Sequence, residues 1–379
     1  MKTKYLLFGI ALLSISFTAC KKAGLHPTTH DAVVDTAVDV YAAGYITTSN
    51  GMGGTAEVAA YWKNGVLTRL TDSLSFAEAT GIAVNGSDVY VVGYTSSPSN
   101  QFNENAVLWK NGVATMLSPD SAYSEATCIG LMGTDVYVGG FVLNVNAQTS
   151  NSTSYANQPV YWKNGSPNLL PMATGISSIA VSGSDVYFAG SIVSTNKFQA
   201  TGPLGPGSTA AYWKNGSMPD TLGYPDTYLN AYSSGAVGIA VSGNTVYATG
   251  ATGIYAPEFW QNGTPTILAE TNNHSVAYGI ATNGTDVYVA GMNGNYYNAT
   301  YWKNNQPVPL SAGALSMTNS FATAAAVNGN DIYVVGQVKH AADQEYASYY
   351  WKNGVPVELS AGSGGHGAYV KAVALAPKN

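Results

Sequence analysis

The chain has 379 residues, of which 9% are charged and 46% hydrophobic, and its formal net charge is −6. This balance excludes intrinsic disorder, which needs low hydrophobicity and high charge. One arginine, Arg69, and an acidic balance also exclude a nucleic-acid partner, because no basic surface is available to replace phosphate counterions.

Lys2 and Lys4 give a positive start, and Tyr5 to Ile15 form an apolar run of secretory-signal length. The run is short for a comfortable bilayer crossing. Phe17-Thr18-Ala19-Cys20 follows and resembles a bacterial lipobox, departing from it at Phe17, where an aliphatic residue is usual. The resemblance implies a signal over 1–20, a lipid such as palmitate on Cys20, and the bilayer as a partner. The alternative is an ordinary cleaved signal with an incidental cysteine. Lys21 stands where an Asp would mark inner-membrane retention, so the expected location is the outer membrane, facing the periplasm or the cell surface. Residues 21–31, with Gly24, His26, Pro27 and His30, read as a tether, and 32–379 as the folded domain. Cys128 is then alone, and in Thr127-Cys128-Ile129 it reads as a buried small hydrophobe.

An internal repeat accounts for the rest. All seven tryptophans lie in one motif, Tyr61-Trp62-Lys63-Asn64-Gly65 and its equivalents at Trp109, Trp162, Trp213, Trp260, Trp302 and Trp351. A second motif precedes each: Asp39-Val40-Tyr41 in the first repeat, Asp88-Val89-Tyr90 in the next, with Thr245 replacing the Asp once. A glycine follows each of these tyrosines by three residues. A third motif, Gly81-Ile82-Ala83-Val84 and its kin, comes before a short turn. Each repeat therefore predicts four short strands. The Asn-Gly pair predicts a two-residue hairpin, because both its central positions need positive φ. Strands one and two are apolar at consecutive positions, as strands covered on both faces are. The first repeat lacks its strand one, and Val370–Leu375 supplies a spare at the other end. The reading is all-β: a seven-bladed β-propeller of four-stranded blades, closed by the C-terminal strand completing the first blade.

The Val-Tyr-Val-x-Gly strand, the Trp strand, the Asn-Gly turn and the Leu-ended strand resemble the kelch class and the bacterial extracellular HAF-type repeats. The likeness covers about residues 38–376 and departs from kelch in its missing Gly-Gly pair, present only as Gly139-Gly140. Families of this shape include scaffolds, lectins and enzymes, so the resemblance does not assign a function.

The repeated Trp and Tyr are expected to pack between blades. The repeated Asp is expected to bond amides of its own turn, and the Lys after Trp to lie over that Trp or in solvent. Strand parity places the short turns on one face and the two-to-three and four-to-one loops on the other. Those loops are long at 46–59, 95–105, 142–159, 192–209 and 223–234, and short in blades five and six. Function is expected there. Phe76, Tyr123, Tyr232, Tyr278, Phe321 and Tyr369 precede or open inner strands, and are candidates to stack on a flat ligand or else to plug the channel. Asp72, Asp120, Asp226 and Glu270 share that face without forming an acid–base pair. His274, His340 and His366 also fall there, but no carboxylate spacing supports a metal, and no cofactor motif is present. Two readings follow: an envelope-bound module for a glycan, peptide or protein, or an enzyme acting on carbohydrate or another envelope polymer. Aromatics and amides without perturbed acids would favour the first. Two or more carboxylates within hydrogen-bond reach near the axis would favour the second.

Overall fold

A computed structural model of the protein describes residues 38–51, 53–74, 76–97, 100–118, 123–144, 156–193, 207–223, 234–252, 256–268, 275–294, 297–311, 319–339 and 346–378. They form seven four-stranded antiparallel sheets arranged as a β-propeller. In blade two the strands run from the axis outward as Phe76–Asn85, Asp88–Ser97, Asn100–Lys110 and Val113–Met116. The final strand, Gly365–Pro377, pairs with the first, Val38–Ser49, setting Val38 opposite Pro377 and Gly44 opposite Val370. The C-terminal strand thus closes the ring, as the incomplete first repeat predicts. Cys20 and the segments 1–20 and 21–31 lie outside the described residues.

The repeat residues pack one blade on the next. All seven tryptophans are fully buried. Trp62 packs with Tyr333, Tyr350 and Leu359 of blade seven, and Trp162 packs with Leu117 of blade two. Several also donate their indole N–H to the preceding blade: Trp62 to the Ser360 carbonyl at 2.8 Å, Trp213 to Pro171 at 2.9 Å and Trp351 to Ser311 at 2.7 Å. These tryptophans supply buried area and a polar tie, whereas the indole N–H groups of Trp162 and Trp302 are buried without a partner among the described residues. Cys128 is buried, as expected, and burial pushes its thiol up to about 12.

The hairpin Asn and Gly adopt positive φ, 51° and 83° at Asn64 and Gly65. Here the structure corrects two expectations. The bonds described for the repeated Asp run to the hairpin Asn and Lys, not to amides of its own turn. Asp39 instead accepts from the Asn64 side-chain amide at 2.8 Å and pairs with Lys63 at 2.7 Å, while Asn64 Oδ1 accepts from the Val40 N–H at 2.8 Å. The repeated Lys is solvent-exposed, as one of its two expected placements has it, with the Lys63 side chain 48% exposed, but it does not cover Trp. It lies over the repeated Tyr, with Lys63 Nζ 5.3 Å from the Tyr41 ring centre and Lys110 Nζ 5.0 Å from that of Tyr90. Pairing explains both, because Tyr41 sits opposite Lys63, and alternation turns Lys63 away from the buried face that takes Trp62.

The glycine after each Tyr has a steric reason. Each inner strand slips register at least once, and those of blades one and four slip twice; in blade two the slip lies between Ala79 and Gly81. A Cβ on Gly93 would overlap the carbonyl of Glu78 just before that bulge. The same relation holds between Gly44 and Tyr369, Gly140 and Glu125, Gly190 and Gly175, Gly250 and Gly235, Gly291 and Val276, and Gly336 and Phe321.

A third correction concerns the loop face. Segments 46–59 and 95–105 are largely strand, with Ser49 opposite Thr55 and Ser96 opposite Glu104. Residues such as Ile46, Thr47, Thr48 and Thr95 favour the pleated surface, so the hairpins of blades one and two continue through these segments, and Ile46 and Val58 join the buried core.

Candidate functional site

The bulges set the geometry of the axis. Three consecutive residues of each inner strand line a cavity of about 430 Å³, Thr80-Gly81-Ile82 in blade two and Lys371-Ala372-Val373 in blade one among them. Several axial hydroxyls are structural. The Thr80 Oγ1 lies 3.1 Å from the Val92 carbonyl and 2.7 Å from the Ala126 carbonyl of the next blade. Tyr278 belongs to this lining, and burial holds its phenol above the ordinary range.

Two residues before the axial position, toward the loop face, the blades differ. In order they carry Tyr369, Glu78, Glu125, Gly175, Gly235, Val276 and Phe321, the residues whose carbonyls the repeat glycines accommodate. Blades seven to three thus present aromatic rings and carboxylates, and blades four and five present no side chain at all. Among the described residues a Cβ added at Gly235 would meet nothing within 4 Å, so blade five leaves this position unfilled across from the acidic arc.

That arc is a connected network. Glu78 is ion-paired with Lys371, and the Lys371 Nζ lies 5.5 Å from the Tyr45 ring centre. Tyr45 sits opposite Tyr369 and stacks on it, with centroids 4.7 Å apart and planes at 11°. Tyr346 continues the aromatic wall, 6.3 Å from Tyr369 and 5.8 Å from Phe321. On the other side the Tyr123 hydroxyl donates to Glu125 Oε1 at 2.5 Å, and its ring lies 5.8 Å from Phe141. Glu57 and Glu104 come from the strand extensions, opposite Thr47 and Ser96.

Among the described residues, Lys371 pairs with Glu78 and its charge acts to lower Glu57, while Glu104 and Glu125 bond each other, and the electrostatics follow. Burial, a hydrogen bond with Glu125, and the charges of Glu125 and Glu78 push Glu104 up to about 7, while a hydrogen bond from Tyr123 opposes the shift. Burial and then the Glu78 charge raise Glu57. Burial and neighbouring carboxylates hold Tyr45, Tyr94 and Tyr123 well above the ordinary phenol range. A buried carboxyl that keeps its proton near neutrality can give or take one there.

The expected site residues fare unevenly. Phe321 and Tyr369 join one wall through Tyr346, and Tyr123 stands at the far end of the arc. Tyr278 lies deeper, on the axis. Phe76 opens its strand opposite Ser96 without a described ring partner. Tyr232, Asp120, Asp226, Glu270, His274 and His340 lie outside the described residues, and His366 is exposed. Among the described residues no three His, Cys, Asp or Glu side chains are grouped to hold a metal ion. Sequence reasoning misses Glu57, Glu78, Glu104, Glu125, Tyr45, Tyr94 and Lys371. A signal for three of them existed: Glu78, Glu125 and Lys371 are charges inside otherwise apolar inner strands.

No family model matches the chain, and no curated protein matches it. Among solved structures it is similar to Pyrococcus horikoshii acylaminoacyl peptidase, with a TM-score of 0.50 and 10% identity over 84% of this chain and 50% of that one. The chain thus spans half the length of that peptidase. It is also similar to Trypanosoma rangeli sialidase (TM-score 0.41, 9% identity, 72% of this chain and 54% of that one) and to YjhT (0.39, 10%, 74% and 96%). At such identities the likeness concerns the fold alone, and the chain is a seven-bladed β-propeller.

Proposed function

We propose that the chain is a binding module of the cell envelope, tethered by a lipid on Cys20, that holds a glycan or peptide at the loop-face mouth of its axial cavity. The observation that carries this reading is the one-sided ring: the position that Phe321, Tyr369, Glu78 and Glu125 fill in blades seven to three is glycine, Gly175 and Gly235, in blades four and five. Aromatic faces stack on sugar rings or flat side chains, and carboxylates accept hydrogen bonds from hydroxyl or amine groups. The carboxylates outnumber the lysines of this arc, Lys371 and Lys339, and disfavour phosphate and carboxylate ligands, so the ligand is neutral or positively charged. A screen of the purified protein against glycans, peptidoglycan fragments and basic peptides tests this. Binding confined to neutral or amine-bearing members supports it, and preference for anionic members contradicts it.

A specific observation favours a second reading. Glu104, held near pH 7 beside Glu125, is the perturbed carboxylate pair that acid–base chemistry on an envelope polymer requires. An enzyme would turn over a bound polymer and lose turnover in Glu104→Gln while keeping affinity. A binding module would show no turnover in either protein.

A further inference from the structure

Every blade ends in an outer strand whose free edge carries unpaired N–H and C=O groups, a template for another strand unless something blocks it. The hairpin geometry says which groups point outward. In blade two Lys110 and Val113 flank the turn, and Leu117 donates to Ala106 at 2.8 Å, so Val113, Thr115 and Leu117 bond inward. Ala114, opposite Trp109, and Met116, opposite Val107, therefore direct their N–H and C=O groups away from the blade.

Elsewhere this outward position is blocked. In blades three, five, six and seven the residue opposite the repeated tryptophan is Pro167, Pro265, Pro307 or Pro356, which has no N–H to offer. The outer strand of blade four is only Asp220–Thr221 and carries a charge. In blade one Leu67 packs against the core and Arg69 ends the strand, donating to the Ser363 carbonyl at 3.3 Å. Val113-Ala114-Thr115-Met116 has neither proline nor charge, and all four residues are exposed, Val113 by 70%.

We infer that this edge is a self-association surface, paired antiparallel with the same edge of a second copy of the chain. A two-fold axis through Thr115 sets Ala114 of each copy opposite Met116 of the other and uses all the outward main-chain groups. Charge selects the occupant. The same axis would bring Asp220 of blade four against its own like, and would set two copies of Arg69 in blade one or of Glu358 in blade seven diagonally across the seam. The blade-two strand meets its copy without a charge, and its neighbour Lys110 is already paired with Asp88 at 2.8 Å. So short an edge buries less than the roughly 1,200 Å² of a stable complex, so the dimer depends on concentration.

Sedimentation velocity across a micromolar concentration series tests this, with cysteine cross-linking in a Cys20→Ser background. The protein is expected to shift from monomer to dimer as concentration rises. Ala114→Pro, which copies the proline of four sister blades and removes no ladder bond, is expected to stay monomeric with an unchanged melting temperature. Thr115→Cys is expected to form a disulfide-linked dimer, because non-hydrogen-bonded partners lie about 4.5 Å apart at Cα, within disulfide range. Thr68→Cys, its counterpart in blade one, is expected not to. A protein that stays monomeric throughout, with Thr115→Cys cross-linking no more than Thr68→Cys, overturns the inference. So does a dimer that Ala114→Pro leaves intact. Should Ala114→Pro unfold, the cross-linking comparison decides alone.

Discussion

Glu78, on the inner strand of blade two, is ion-paired with Lys371, the axial residue of blade one. The partners are 293 residues apart, so the pair forms only when the last strand has closed the ring. Lys371→Met leaves Glu78 facing Glu57 and Glu104 without a counter-charge. The expected loss is about 2 kcal/mol, below the cost of breaking a fully buried pair because the lysine is partly exposed. Adding Glu78→Gln should recover much of it. Chemical denaturation of the two single variants and the double variant measures the coupling, and strictly additive losses would show that the pair contributes nothing.

The carboxylate arc makes stability depend on pH. Glu104 titrates near 7 in the folded protein, above its unfolded value of about 4.3. A raised carboxyl contributes stability that is fully present below the unfolded value and lost as pH rises through the folded one. Wild-type protein should therefore lose more stability between pH 5 and pH 8 than Glu104→Gln does. Equal losses in parallel denaturant titrations would remove Glu104 as the source.

Blade five lacks both charges of the repeated clamp, carrying Thr245 for Asp and Gln261 for Lys, yet Asn262 still accepts from the Val246 N–H at 2.9 Å. The asparagine therefore sets the turn, and the ion pair is an addition to it. Thr245→Asp with Gln261→Lys should show a favourable coupling of about 0.5 kcal/mol, the usual size for exposed pairs. Asn262→Ala should cost more than either single change, since it frees the Val246 N–H and loses an easy positive φ. A thermal-melt cycle checks both statements, and a harmless Asn262→Ala would contradict them.

The ring, its closure and its hairpins are legible in the sequence because they repeat. Trp62 and its six counterparts mark every blade, and Val370–Leu375 completes the first. The site is less legible because it consists of departures from the repeat. Glu57 and Glu104 lie in segments that read as loops but extend as strands, since strand length beyond the repeat motifs has no periodic marker. Lys371 and Glu78 are neighbours only through closure. The clamp is illegible for a related reason: Asp39 and Lys63 are joined by the pairing of strands two and three, which local turn chemistry does not reveal.

The most direct measurement is an isothermal titration of the tightest-binding compound from the screen against wild type, Tyr369→Ala, Tyr123→Ala and Lys110→Ala. The account predicts at least a tenfold loss, about 1.4 kcal/mol, for one or both tyrosine variants and none for the lysine on the hairpin face. Binding abolished by Lys110→Ala and untouched by Tyr369→Ala and Tyr123→Ala would place the ligand on the opposite face and contradict it.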